Sequence, residues 1–466
     1  AYEIPLCLVG SEMCIRDRYT NITNREERNK MKKFTVCLLI GAMAASMLTG
    51  CGSNGGSSDS SDSKADSSSE TMTIMMNGSD SDAFMEGYRK IIDGFNESNE
   101  YGVKVEIQNV TNSDYKTKLT TMMASDSETD IIFTWELGYL ENFVNGDKIV
   151  SLQKYLDEDE EWKNSFNGGI LDPLTYDGEV YAIPTQQSTA IMYYNKAIFD
   201  KYGLEVPTTY DEYVQVCDTL KENGVTPVAL ASTADDAWLV SQYIQQLSDG
   251  IKGEDLFNSI KGGTGKWNDE GMVEAGKLFQ EEVNKGYFED GFTGVSREEA
   301  QLQFANGQTA MYFNGCWEIS NLDKKENAAE AENISCFLMP AVNEEYAGVE
   351  VGSVDTSYAI TKNCKNVDAA VALLKYMTNE ESTSSLLYDY GRFPSTNIDI
   401  DDSKLTPLCA DFVNLLGDAK AQTPWFDRVD TDLGNEFNNT AIGIANGDDV
   451  QEAFDTLQSY AESKSK

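Results

Sequence analysis

Histidine is absent from this 466-residue chain. That omission removes every Ser-His-Asp or Cys-His-Asn triad and every His-ligated zinc site. Carboxylate chemistry such as glycoside hydrolysis survives the exclusion, but no carboxylate pair stands out. What the chain offers instead is tryptophan and polar side chains in loops that follow strands. Trp135 and Glu136 close a short apolar run, and Asn77, Gly78, Ser79 and Asp80 close another. A flat ring beside a hydrogen-bonding group can hold a ligand that has both an apolar face and hydroxyls. Such a site discriminates strongly against ligands lacking the hydroxyl.

Those loops need elements to place them. "TMTIMM" reads as a strand, and "DAFMEGYRKIIDGFNE" has the apolar spacing of a helix. "VKVEIQNV" alternates as a strand, "DYKTKLTTMMASD" is helical, "DIIFTW" is a short buried strand, and "GYLENFVNGDKIVSLQKYL" returns to helix. The order βαβαβα predicts a largely parallel sheet covered by helices. In such sheets the ligand crevice lies beyond the strand ends. A second alternating set starts at "EVYAIPTQQSTAIMYYNKAIF". Further strands are predicted at "TPVALA", after the Asn306–Gly307 turn and at "VGSVDTSYAITK", and the tail is mostly helical. No internal repeat is visible.

The N-terminal region follows another plan. From Met31 the sequence "MKKFTVCLLIGAMAASMLTGC" has a basic head, an apolar middle and small residues at its end, the layout of a secretory signal. "LTGC" (Leu48 to Cys51) resembles the lipobox of bacterial lipoproteins. The resemblance implies cleavage before Cys51 and lipidation of its thiol, and two or three acyl chains anchor a protein stably. Gly52 to Glu70 is rich in Ser, Gly and Asp, lacks aromatic residues and reads as a flexible tether. Residues 1–30 fit no targeting plan. "PLCLVGSEMCIRDR" resembles translated sequencing-adapter read-through, so this stretch is read as non-native upstream translation.

The 415 residues after Cys51 are too many for one ordinary core and predict two lobes. They carry 29 basic and 73 acidic side chains, a balance that repels nucleic acid and anionic membranes. The cysteines among them, Cys217, Cys316, Cys336, Cys364 and Cys409, are odd in number and form no CxxC pair. They predict small buried residues rather than a disulfide scaffold or a zinc cluster. "GGTGKW" (Gly262 to Trp267) lacks the first glycine and the hydroxyl of a phosphate loop. "NIDIDD" (Asn397 to Asp402) lacks the sixth-position Gly and twelfth-position Glu of a calcium loop.

One stretch carries a resemblance. Tyr176 to Tyr213 contains Asp177-Gly178, Tyr181 and Pro184, then Tyr194-Asn195-Lys196, then Gly203-Leu204, Pro207, Thr209 and Glu212. Gly307 to Leu322 ("GQTAMYFNGCWEISNL"), Gly391 to Ser395 ("GRFPS") and "DIIFTW" follow in the family's pattern, with Thr129 where a proline is usual. From Thr71 onward the chain resembles the family 1 extracellular solute-binding proteins, sugar receptors of ABC importers. The resemblance implies an α/β periplasmic-binding-protein-like fold, with two lobes around a ligand cleft. Residues 31–50 would be signal peptide and 51–70 lipidated cysteine and linker. Residues 71–185 plus 350–395 would form the first lobe, and 186–349 plus 396–466 the second. Hinge crossings are expected near Thr185–Ser188 and Pro340–Gly352.

It further implies a lipid-anchored monomer on the outer face of a bacterial membrane, with a carbohydrate ligand and permease partners. No enzyme activity, cofactor, metal or nucleic-acid partner is implied. Trp317 occupies the family's Gly-x-Trp position, where a stacking aromatic is common. Asp236 with Trp238 starts a second-lobe helix, and Trp425 lies in the tail segment that returns to the cleft. With them the expected contacts are Asn77, Ser79, Asp80, Trp135 and Glu136. Gln186 and Gln187 at the hinge complete the set with Arg392, which could clamp a ligand or serve a structural ion pair. The competing expectations are a receptor for polyamine, iron or glycerol-phosphate, and a carboxylate-dependent glycosidase.

Overall fold

The computed structural model of the protein describes residues 70–125, 129–323, 332–417 and 419–464. The expected signal, Cys51 and the upstream stretch lie outside the described residues. Glu70, read from sequence as the last residue of the tether, is the first residue of a strand.

The first lobe grows from β1 (Glu70–Asn77), which pairs in parallel with β2 (Val103–Val110) on one side and β3 (Ile131–Thr134) on the other. β2 is an edge strand. It buries Val103, Val105 and Val110 and exposes Lys104 and Glu106, whereas central β3 is buried along its whole length. The Ala83–Ser98 helix buries Met85, Tyr88, Ile91, Ile92 and Phe95 on one stripe. The helical run expected over "GYLENFVNGDKIVSLQKYL" is two helices, Gly138–Asn145 and Gln153–Asp157. Between them Ile149 leaves helical geometry to bridge Thr361, and Asp147 takes a positive φ.

The small hairpin of β4 (Thr175–Tyr176) and β5 (Glu179–Val180) turns through Asp177 and Gly178, both at positive φ. This is the two-residue Asp-Gly turn that matches strand twist. β6 (Ile183–Asn195) follows and is unusual in length. Its first half pairs antiparallel with β10 (Val349–Ile360). Its second half pairs with β8 (Thr309–Gly315) and β9 (Ile334–Phe337). β7 (Thr226–Ala229) lies parallel to β8, and β11 (Ala421–Thr423) lies parallel to the start of β10.

Two apolar cores result. One is built from Met72 through Ile183 and from Val354 through Leu386. The other takes Leu137 and most of the rest, from Ala190 through Val351 and from Leu387 through Leu457. The chain therefore passes between cores inside β6, inside β10, and again between Leu386 and Leu387. At the middle crossing β10 is irregular, with register shifts between Val354 and Thr356 and between Thr356 and Ser357. Among the described residues the five cysteines are buried and unpaired.

Candidate functional site

A cavity of about 1120 Å³ opens between the two cores. Its first-lobe wall is built at the ends of β1 and β3 and on the Asn112–Ala124 helix. Trp135, one residue past β3, sits edge-on to Phe133 and Tyr115 and against Tyr139 at 5.3 Å. The Lys116 ammonium lies 5.4 Å from the Trp135 ring centre and 4.9 Å from that of Tyr139, close enough for attraction to both ring faces. Hydroxyls and amides of Asn77, Ser79, Thr117 and Thr120 complete this side.

The second-lobe wall is a row of indoles. Trp238 is 5.8 Å from Trp317, and Trp317 is 5.9 Å from Trp425, each pair tilted. Trp317 owes its place to Gly315, because a β-carbon there would fall 2.1 Å from the indole ring. Only glycine lets that ring fold back onto the end of β8. Trp425 is buried, and the Arg428 guanidinium covers one of its faces at 3.9 Å. Around the row lie Asp235, Asp236, Arg297 and Glu298. Asp236 accepts hydrogen bonds from the Thr233 hydroxyl and the Arg297 amide. Behind them burial pushes the Glu318 carboxyl up, against the opposing pull of Arg297 at 3.8 Å.

Of the residues expected from sequence, Asn77, Ser79, Trp135, Asp236, Trp238, Trp317, Arg392 and Trp425 line the cavity. Arg392 does so while ion-paired to Asp355 and stacked 4.7 Å over Phe84. Four expected residues are placed elsewhere. Asp80 points to solvent and pairs with Arg89 at 2.9 Å. Glu136 is fully buried, because neighbours along an extended chain face opposite ways: Trp135 turns to the cavity and Glu136 to the crossing strands. There it accepts from Ser353 at 2.6 Å and pairs with Arg428 at 3.2 Å. Gln186 is buried in β6, where its carbonyl accepts from the Tyr88 and Thr185 hydroxyls. Gln187 belongs to the same strand, and its backbone N–H donates to the Phe393 carbonyl at 3.0 Å.

Lys116, Tyr139, Arg297, Asp427 and Arg428 line the cavity without having been singled out. They come from helices and from the returning tail, where no strand-end signal marks them. Conversely, the Tyr176–Tyr213 motif is structural. Asp177-Gly178 forms the turn, Asn195 caps the Lys196–Tyr202 helix, and Gly203 ends that helix in left-handed conformation. Thr209 and Glu212 form a reciprocal capping box.

The sequence profile of the bacterial extracellular solute-binding proteins matches residues 78–384. The chain belongs to that family. The solute-binding protein is 28% identical to the multiple sugar-binding protein of Streptococcus mutans over 240 residues, 49% of this chain and 54% of that one. A structure solved for xylan utilization by the thermophilic bacterium Caldanaerobius polysaccharolyticus superposes with a TM-score of 0.77 at 27% identity. It covers 84% of this chain and 99% of that one. A chitin oligosaccharide binding protein superposes at 0.78 with 21% identity over 85% and 98% of the two chains, a likeness of fold. Among the described residues no helix is long and apolar enough to cross a membrane.

Proposed function

We propose that this solute-binding protein captures a sugar or oligosaccharide between its lobes and delivers it to an ABC importer as a monomer. The observation that carries the reading is the pair of opposed aromatic walls, Trp135 with Tyr139 on one side and Trp238, Trp317 and Trp425 on the other. Rings on both walls can sandwich pyranose faces while the surrounding hydroxyls, amides and carboxylates bond the sugar edge. The sugar-binding relatives support this ligand class. The lobes are joined by crossing strands, and a ligand that touches both binds the closed form better than the open one, which is all that closure requires. We place the hinge at the β6 and β10 crossings.

A thermal-shift screen with xylotriose, chitotriose, maltotriose and raffinose tests the ligand class. A ligand at 100 times its Kd stabilises by about 2.7 kcal/mol. No shift with any saccharide, together with a shift from spermidine, would overturn it. Spermidine is the informative competitor, because the carboxylates of Asp235 and Glu298 line the same cavity as the Trp238 ring.

We further propose that Cys51 is lipidated and tethers the receptor to the outer face of the membrane. Mass spectrometry of detergent-extracted protein should find a diacylglyceryl mass on an N-terminal Cys51 peptide. An unmodified Cys51 thiol would rule the anchor out.

A further inference from the structure

We propose that Arg428 is a positioning residue that ties the tryptophan wall of the second lobe to the strand between the lobes. The inference deepens the sugar-receptor reading, which supplies the ligand, but it stands on contacts that need no ligand. Arg428 makes three kinds of contact at once. Its guanidinium covers one face of Trp425 at 3.9 Å. Its Nη1 donates to the Val354 carbonyl at 2.8 Å, inside the crossing segment of β10. The same nitrogen lies 3.2 Å from Glu136 Oε1, on the first lobe. Glu136 is itself held to the crossing strand, because Ser353 Oγ donates to its other oxygen at 2.6 Å.

Two of these partners, Ser353 and Val354, belong to the strand that passes from one core to the other. Ser353 lies between Val351 of the second core and Val354 of the first, next to the register shifts of β10. The backbone after Glu136 is forced. Leu137 takes φ 55 and ψ −136 and buries its side chain in the second-lobe core. A β-carbon on Gly138 would come within 2.7 Å of the Val429 carbonyl. Asn142 donates to the Thr431 hydroxyl at 3.1 Å. Segments 136–142 and 428–431 are thus fitted together beside the crossing strand. An arginine fork is suited to this post, since it can stack on an indole and bond carboxylate and carbonyl together, which an ammonium cannot do. A ring that docks on the Trp425 wall then meets an indole whose position is set by the hinge strand. Any rotation of the lobes is transmitted back to that indole through Arg428.

The test uses the full chain labelled with 5-fluorotryptophan and no sugar. The Trp425 fluorine resonance is assigned with Trp425→Phe, and amide exchange is followed at Val354 to Ser357, with the β1–β2 ladder as internal reference. Glu136→Gln, which leaves Arg428 and Trp425 intact, should shift the Trp425 resonance. It should also speed exchange at the crossing on the order of tenfold while the reference ladder stays unchanged. Arg428→Met should do the same, Arg428→Lys should fall between it and the parent, and the double variant should go no further than Arg428→Met alone. Trp425→Phe should likewise alter exchange at the crossing. An unmoved Trp425 resonance with parental exchange in Glu136→Gln and Arg428→Lys would overturn the proposal, even if Arg428→Met does not fold. Because no saccharide enters the experiment, a wrong ligand class would leave these results untouched.

Discussion

Trp317 is the residue on which the second-lobe wall turns, since it touches both Trp238 and Trp425. Covering an aromatic side chain is worth about 1.5–3 kcal/mol, so Trp317→Ala should weaken saccharide binding by roughly 10- to 100-fold. Isothermal titration calorimetry would read the loss. Gly315→Ala should approach the same loss without removing the ring, because the new methyl occupies the ring's place. Away from the cleft, two buried acids set a pH dependence. Burial pushes Glu282 up to about 7, with the Tyr210 and Tyr243 hydroxyls donating to it at 2.6 Å, and pushes Asp249 up to about 8. Each folded-state value is raised, so the folded chain keeps a proton that the unfolded chain has released. The stability this gives is complete below about pH 4 and is lost as pH rises through 7 to 8. The melting temperature should therefore fall between pH 5 and pH 8. Glu282→Gln should make the fall shallower below pH 7, and Asp249→Asn should make it shallower all the way to pH 8.

At this scale legibility depended on whether local geometry alone fixes a side chain. Trp135 and Trp317 follow strands and could be found by their type and place. Glu136 was misplaced because adjacency suggested a shared destination, whereas strand geometry sends neighbours apart. Arg428 was invisible, because its partners Glu136 and Val354 are 292 and 74 residues away in the chain.

Among the elements, the segment that identifies the family is about folding rather than binding. Its Asp-Gly turn, helix cap and capping box are local signals, which is why it can be read from sequence. Gly178→Ala should cost about 1–2 kcal/mol, since φ of 80 disfavours a β-carbon. Thr209→Ala should cost about 1 kcal/mol by removing one half of the capping box. Urea unfolding would measure both, and neither change should alter saccharide affinity, because neither residue lines the cavity. The break at Asn145–Gln153 was not legible for the opposite reason. "LENFVNGDKIVSLQKYL" keeps helical apolar spacing, but Asp147 takes a positive φ and backbone pairing of residues 148–152 with Ile360, Lys362 and Val180, far along the chain, draws it out of the helix.

For the whole molecule, the formal net charge of −42 makes self-repulsion a general load on the folded state. Salt shortens its reach from about 30 Å at 0.01 M to about 3 Å at 1 M. The melting temperature should accordingly rise when NaCl is increased across that range, and scanning calorimetry would show it. A fall would mean that solvent-facing ion pairs, such as Lys375 with Asp159, outweigh the repulsion.

The crossings inside β6 and β10 have a consequence for how the chain is made. The first core needs Val354 to Leu386, and the second needs residues on to Leu457. A chain emerging from its N-terminus therefore cannot finish either lobe until most of it is out. Half of β6 would wait for β10, a partner more than 150 residues downstream. Pairing at that separation is slow, which leaves the emerging chain without its native packing for longer. A chain cut after Pro340 would lack the central strand shared by both lobes, so the two halves of the clamp become functional together or not at all.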